Sequence, residues 1–192
     1  MVFDNTAAMP SAWREIDART RALGFDMPSE AGTGAILRTL AAGKPGGGLL
    51  ELGTGTGLAA ACLLSGMDAA TTLVSLDNDA GPQAVARAVL DGDARVTFVL
   101  ADAHAWLGEQ PAASFDLIFA DAMPGKYEGL DQALRLLRPG GLYVVDDMSP
   151  QPNWPEGHQA RVDDLADRLQ GHPDLATTTL QWASGLIIAA RR

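Results

Sequence analysis

Acids at the ends of apolar runs are the first residues in this chain that could do chemistry. Phe115-Asp-Leu-Ile-Phe-Ala-Asp121 and Gly141-Leu-Tyr-Val-Val-Asp-Asp147 each read as a buried strand that closes on carboxylate. In a doubly wound sheet the carboxyl ends of adjacent strands open onto one crevice, which would bring Asp121, Asp146 and Asp147 together. Three carboxylates in one cleft repel one another unless they share a cation. An oxygen-only donor set suits a hard ion such as Mg2+, Ca2+ or Mn2+. The plainer alternative is a solvated or helix-capping set of acids. Lys126 has two readings as well. It lies over a bound acceptor as a base or anion stabiliser if its loop bends, or it is a solvated first-turn residue of a helix beginning near Tyr127.

A second constellation lies upstream. Leu49-Leu-Glu51-Leu-Gly53-Thr54-Gly55-Thr-Gly57-Leu58 is an apolar run ending in three alternate glycines, followed by the helix former Ala59-Ala-Ala-Cys62-Leu-Leu64. A strand, a glycine turn and a helix N-terminus together make a cradle for a polar ligand. Twenty residues past Gly57, Thr72-Leu-Val-Ser-Leu76 ends in Asp77, placed to accept hydrogen bonds from ribose hydroxyls. The dinucleotide fingerprint would need a glycine at Leu58, and Lys44 precedes the strand, so the phosphate loop is absent too. Glu51 beside the loop disfavours a pyrophosphate and suits an ammonium or a sulfonium. Asp102 closes a third apolar run, Val96-Thr-Phe-Val-Leu100, either as a ligand contact or as the N-cap of the helix holding Trp106 and Leu107.

The elements that must position these residues alternate along the chain. Strands are expected at 48–52, 72–77, 95–100, 115–121 and 141–146, with helices at 57–66, 81–91, 103–108 and 127–137 between them. That order argues for a parallel sheet covered by helices on both faces. Upstream, an amphipathic helix over 11–24 puts Trp13, Ile16 and Leu23 on one face and stops at Gly24, and a shorter helix covers 34–42. Downstream come a proline-rich loop over 149–157, a helix over 158–170, and a hairpin of 176–182 with 185–190.

The run Glu51-Leu-Gly-Thr-Gly-Thr-Gly57 resembles motif I of the class I S-adenosylmethionine-dependent methyltransferases. The resemblance covers about residue 29 to the C-terminus. It implies a Rossmann-like α/β fold with strand order 3-2-1-4-5-7-6 and the last strand antiparallel. It also implies that Glu51, Gly53, Thr54, Gly55 and Gly57 hold the amino-acid end of S-adenosylmethionine. Asp77 and Asn78 would hold the ribose, Asp102 and Ala103 the adenine, and Asp121 would border the cofactor. Phe115–Asp121, Tyr127 and Leu136-Leu-Arg-Pro-Gly-Gly-Leu-Tyr-Val-Val-Asp-Asp147 resemble the cation-dependent O-methyltransferases of catechols and caffeoyl-CoA. In that family an Asp after strand four and an Asp-Asn pair after strand five hold the metal. Asp121 and Asp146 match, and Asp147 stands where Asn is usual. The family lysine would fall at Pro124, and Lys126 lies two positions later. Trp154 and His158 fall where family acceptor pockets close, and Ser29 and Glu30 where a segment covers the cofactor's methionine end.

Composition narrows the partner. The 192 residues suit one domain, with helices over 1–43 and the sheet core over 44–192. A net charge of −10 without a Lys/Arg cluster disfavours nucleic acid and favours a small-molecule acceptor. No apolar run reaches membrane length, the opening Met1–Asn5 lacks the look of a signal peptide, and the single Cys62 suits a reducing cytoplasm. The oligomeric state is not legible. Two rivals share the fold: an aminopropyl-transferase-like enzyme, and a non-catalytic S-adenosylmethionine-binding module suggested by the missing lysine.

Overall fold

Alternate residues of the central strands are buried on opposite faces of one sheet, and that pattern organises the chain. The computed structural model describes residues 6, 9–151 and 153–192, so Met1–Asn5, Ala7, Ala8 and Pro152 lie outside the described residues. Five strands run parallel: β1 (Gly48–Leu52), β2 (Thr72–Asp77), β3 (Val96–Leu100), β4 (Phe115–Ala120) and β5 (Leu137–Val145). The hairpin β6 (Leu175–Leu180) and β7 (Leu186–Arg191) completes the sheet, β7 pairing antiparallel with both β5 and β6. The strand order is 3-2-1-4-5-7-6, as the resemblance implied.

Helices cover both faces, as a parallel sheet requires. On one face α1 (Ser11–Leu23), α2 (Ala31–Ala42), α3 (Leu58–Gly66) and α4 (Ala80–Leu90) bury Ile16, Leu37 and Leu63 against Leu49, Leu117 and Val144. On the other, α5 (Ala103–Glu109), α7 (Leu130–Leu136) and α8 (His158–Gly171) bury Leu107, Leu134 and Leu165 against Leu50, Ile118 and Tyr143. Between β4 and α7 sits a single turn, α6 (Met123–Lys126). Cys62 packs in the core. Among the described residues no helix is long and apolar enough to cross a membrane.

Three local expectations change. Leu23 is 52% exposed, and Thr20 takes the buried place on α1 because its hydroxyl bonds Ile16 O and Thr56 Oγ1, both at 2.8 Å. Gly24 does stop the helix, at φ +71°. The expected helix over 127–137 is shortened to α7, because Gly129 is left-handed at φ +67°, and the separate turn α6 precedes it with Pro124 and Gly125 at non-helical angles. β5 starts at Leu137 rather than 141, with an irregular register where the chain passes Gly140 at φ +75°.

The sheet order reverses between β1 and β4, so the loops after these strands diverge and leave a crevice at their carboxyl ends. Gly57, which opens α3, sits at φ +94°, and a Cβ there would lie 2.6 Å from Ala86 Cβ on α4. Gly57→Ala is therefore expected to cost about 2 kcal/mol or more in urea unfolding. Gly92→Ala, which meets nothing within 4 Å, should stay within about 0.5 kcal/mol of the parent. Equal, small losses would show that the loop–helix contact is slack.

Candidate active site

The glycine loop is tied to the end of β2. Gly53 and Thr54 N–H donate to Leu76 O at 2.9 and 3.1 Å, and Gly55 N–H donates to Asp77 Oδ2 at 2.7 Å. Gly53 has φ +99°, and a Cβ there would lie 2.6 Å from Asp121 O, so glycine lets the loop press on the end of β4. Glycines 53 and 57 thus serve close backbone approach. Beside the loop lies a cavity of about 380 Å³ bounded by Thr54, Gly55, Asp77, Asn78, Ala101 and Ala103, with Phe25 and Met27 over it. Met27 opens the segment expected to lie over the cofactor, whereas Phe25 carried no motif, and only the tertiary path of the N-terminal segment brings it here.

Glu51 lies fully buried on β1. Ser75 Oγ donates to its Oε2 and in turn meets Thr54 Oγ1 at 2.7 Å, which Gln83 Nε2 approaches at 3.3 Å. Glu51 Oε1 has no hydrogen-bond partner among the described residues. Burial pushes the Glu51 pKa up to about 8, Ser75 pulls against that, and Asp121 and Asp77 add repulsion. A buried carboxylate with an orphaned oxygen is a position that a cationic ligand group would satisfy.

Asp102 is the N-cap of α5, its Oδ1 accepting from Ala105 N–H at 2.8 Å. Its carboxylate is exposed, and the flanking Ala101 and Ala103 line the cavity. His104 is exposed as well.

A second cavity, also about 380 Å³, adjoins the first, and Met27, Ser29, Asp121 and Met123 border both. Lys126 is in it, only 4% exposed, its Nζ 3.3 Å from Asp121 Oδ1 and 3.8 Å from Asp147 Oδ2. The solvated reading of Lys126 is overturned, and the turn explains why. Pro124 is extended and Gly125 sits at φ +89°, where a Cβ would strike Leu52 Cδ1 at 2.5 Å. Gly125 N–H donates to Glu128 O at 2.6 Å, and the buried Tyr143 hydroxyl of β5 donates to Gly125 O at 2.5 Å. The Pro-Gly pair thus folds back the two extra residues and delivers the lysine to the cleft.

The three acids differ in surroundings. Asp121 accepts from Ser29 Oγ at 3.0 Å; burial raises its pKa, and Lys126 opposes that rise. Asp146 is turned to Ser184 Oγ, with Thr33 Oγ1 at 3.4 Å and Asp147 N at 2.9 Å, and burial raises its pKa too. Asp147 is half-exposed at φ +56°, a left-handed angle that Asp and Asn tolerate better than most side chains. Burial alone would lower the Lys126 pKa, but Asp121, Asp147 and Asp146 outweigh it and leave it raised. The expected metal cluster of Asp121, Asp146 and Asp147 does not form. No group of three His, Cys, Asp or Glu among the described residues is placed to hold a metal ion. An ammonium already sits between Asp121 and Asp147, and Asp146 Oδ1 is taken up by two hydroxyls and an amide.

The rest of the second cavity is aromatic and basic. Tyr127 OH lies 3.2 Å from His158 Nε2, the His158 and Trp154 ring centroids are 4.5 Å apart, and the Arg161 guanidinium lies 4.7 Å from the Tyr127 ring centre. Partial burial, then Arg161 and Lys126, lower the His158 pKa. Glu30 reaches this cavity and precedes α2 without a side-chain capping bond. Arg161 had no signal in the sequence, because its role depends on how α8 packs over Tyr127.

A doubly wound sheet with a glycine loop after β1, an acid after β2 and a second cavity beside the first defines the methyltransferase class of this fold. Residues 50–148 match the family described as a methyltransferase domain. A relative from Mycolicibacterium vanbaalenii, named "Putative O-methyltransferase", is 30% identical over 186 residues, spanning 91% of this chain and 82% of that protein. Among solved structures, the O-methyltransferase TomG of Streptomyces achromogenes, involved in tomaymycin synthesis and solved with S-adenosylmethionine, superposes with a TM-score of 0.81. Its identity is 25%, over 95% of this chain and 90% of TomG. A Bacillus cereus O-methyltransferase in complex with S-adenosylhomocysteine gives 0.82 at 22% identity, over 95% and 91% of the two chains, a likeness of fold. The chain belongs to the methyltransferase domain family.

Glu51 makes a pH signature expected. Its pKa is about 8 in the fold against an ordinary 4.5, so between those values the folded chain keeps a proton that the unfolded chain has released. Its contribution to stability is therefore complete below about pH 4.5 and is lost as pH rises through about 8. The slope for one proton is roughly 1.4 kcal/mol per pH unit. Glu51→Gln, which cannot titrate, is expected to show a flatter stability profile over that window in denaturant titrations. Parallel profiles for the two proteins would contradict a protonated Glu51.

Proposed function

We propose that this chain transfers the methyl group of S-adenosylmethionine to an oxygen of a small-molecule acceptor. What carries the reading is the junction of two cavities at Ser29 and Asp121: one bounded by the glycine loop and Asp77, the other by Lys126 and the aromatic side chains. The family assignment and the names of its relatives support it.

In this reading the loop residues Gly53, Thr54 and Gly55 receive the amino-acid end of the cofactor, while Glu51, buried on β1, and Gly57 lie outside the cavity lining and support the loop. Asp77 and Asn78 take the ribose, and Ala103 with Asp102 the adenine edge. Asp102 contributes mainly as the N-cap that fixes the Ala103 backbone, since its own carboxylate is exposed. When bound, the cofactor would supply an electrophilic methyl on a sulfonium; the acceptor oxygen would take it as the C–S bond breaks to leave a thioether, and the hydroxyl proton would leave to solvent water. The chain's part is to orient the two reactants and exclude water, and positioning supplies much of the rate in such a displacement. Trp154 and Tyr127 offer flat walls to an acceptor, Lys126 steadies the reacting oxygen, and Asp121 bounds both reactants.

The divalent cation expected from the sequence is left out, because the donor set does not converge. A non-catalytic module loses its motive too, since Lys126 stands in the cleft although it is absent from position 124. The net charge of −10 favours a small acceptor over nucleic acid.

S-adenosylhomocysteine at 100 times its dissociation constant is expected to stabilise the chain by about 2.7 kcal/mol, readable as a raised melting temperature, with no rise for NAD. No shift at millimolar S-adenosylhomocysteine would count against the reading. Asp77→Ala is expected to weaken binding at least roughly tenfold, whereas the surface control Asp163→Ala leaves it unchanged. Because Asp77 also holds Gly55 N–H, the comparison is made on ligand affinity rather than on melting temperature. Equal affinities for the two variants would remove the ribose role.

A further inference from the structure

We propose that Lys126 is the resident cation of the acceptor cavity, its ammonium standing between Asp121 and Asp147 where a divalent ion would otherwise sit, so that the site works without a metal. The inference rests on the methyltransferase reading for its meaning, though its geometry stands independently.

Carboxylates gathered at the ends of β4 and β5 need positive charge, because like charges in a water-poor cleft repel strongly. Lys126 supplies that charge from within the chain, at 3.3 Å from Asp121 Oδ1 and 3.8 Å from Asp147 Oδ2. A buried ammonium is tolerated only where it is paired, and the pairing here is built in rather than accidental. The left-handed Gly125, which has no room for a Cβ beside Leu52, and the buried Tyr143 hydroxyl on Gly125 O hold the turn that delivers Lys126.

Two further features point the same way. Asp146, the acid a metal would need as a third ligand, has its Oδ1 taken by Ser184 Oγ, Thr33 Oγ1 and Asp147 N–H, which leaves it only Oδ2 to offer. Lys126 also keeps donor capacity. Its hydrogen bond to Asp121 uses one of three N–H groups, and Asp147 at 3.8 Å is an ion pair beyond hydrogen-bond reach. The remaining N–H groups can meet one acceptor oxygen in the cavity that Lys126 lines.

The test is a cation titration on the intact chain. Thermal unfolding is followed in EDTA, MgCl2 or MnCl2 at matched ionic strength, each with and without S-adenosylhomocysteine. The parent protein is expected to melt at the same temperature in EDTA and in millimolar Mg2+ or Mn2+. Lys126→Ala vacates the cation's place and leaves Asp121 facing Asp147, so this variant is expected to gain a rise of roughly 2–4 °C with Mn2+, reversed by EDTA. A Mn2+-dependent rise in the parent protein overturns the proposal, and so does no gain in a Lys126→Ala protein that is folded and cooperative. Should that variant not fold, the parent titration still decides. The response to S-adenosylhomocysteine is read separately, so failure of the methyltransferase reading shows as no ligand rise in any buffer, whatever the cations do.

Discussion

Charge that has been taken out of water must be answered by opposite charge, and the cleft of this protein is arranged around that requirement. Parallel strands deliver Asp121 and the Asp146-Asp147 pair to neighbouring strand ends, so their repulsion is a consequence of topology rather than a local choice. The answer is Lys126, buried and paired. Several unconnected features make sense only through it: the kink at Pro124 and Gly125, the Tyr143 hydroxyl spent on a single carbonyl, and the left-handed Asp147. Removing the ammonium alone would leave uncompensated carboxylates in a closed space, whereas an isolated surface pair would matter little.

Glu51 shows the other way of burying an acid. It has no cation beside it, so the chain lets it hold a proton, with Ser75 on one oxygen and the other orphaned. The two acidic positions differ in state: a protonated carboxyl buried on β1, and an ion pair that faces the second cavity. The switch point between β1 and β4 brings them close without mixing them, because Gly53 packs directly against the backbone of Asp121. In the proposed reading one cavity takes the cofactor and the neighbouring one the acceptor, with Ser29 and Asp121 at the border.

The sheet was legible because its signals are local. Apolar runs of strand length ending in acid or glycine define β1 to β5, and the hairpin follows from the short gap at Ala183-Ser184. What could not be read depends on tertiary contacts. Thr20 displaces Leu23 from the core face because Thr56, far along the chain, offers it a partner. The helix expected from Tyr127 starts only at Leu130 because Gly129 is left-handed, and no periodicity rule reports φ. Lys126 was in view but misplaced, since spacing along the chain puts it two residues late and only the folded Pro-Gly turn corrects the offset. The three acids do line one cavity, as their strand ends required, without converging on a common point. Their shared counter-charge came from the chain itself, where charge balance alone had suggested a metal.

Crystals grown with S-adenosylhomocysteine and MnCl2, measured at a wavelength where manganese scatters anomalously, test the account most directly. The account calls for ligand density beside Gly55 and Asp77, Lys126 Nζ between Asp121 and Asp147, and no anomalous peak among the three aspartates. A manganese peak held by Asp121, Asp146 and Asp147, with Lys126 displaced from the cleft, would contradict it.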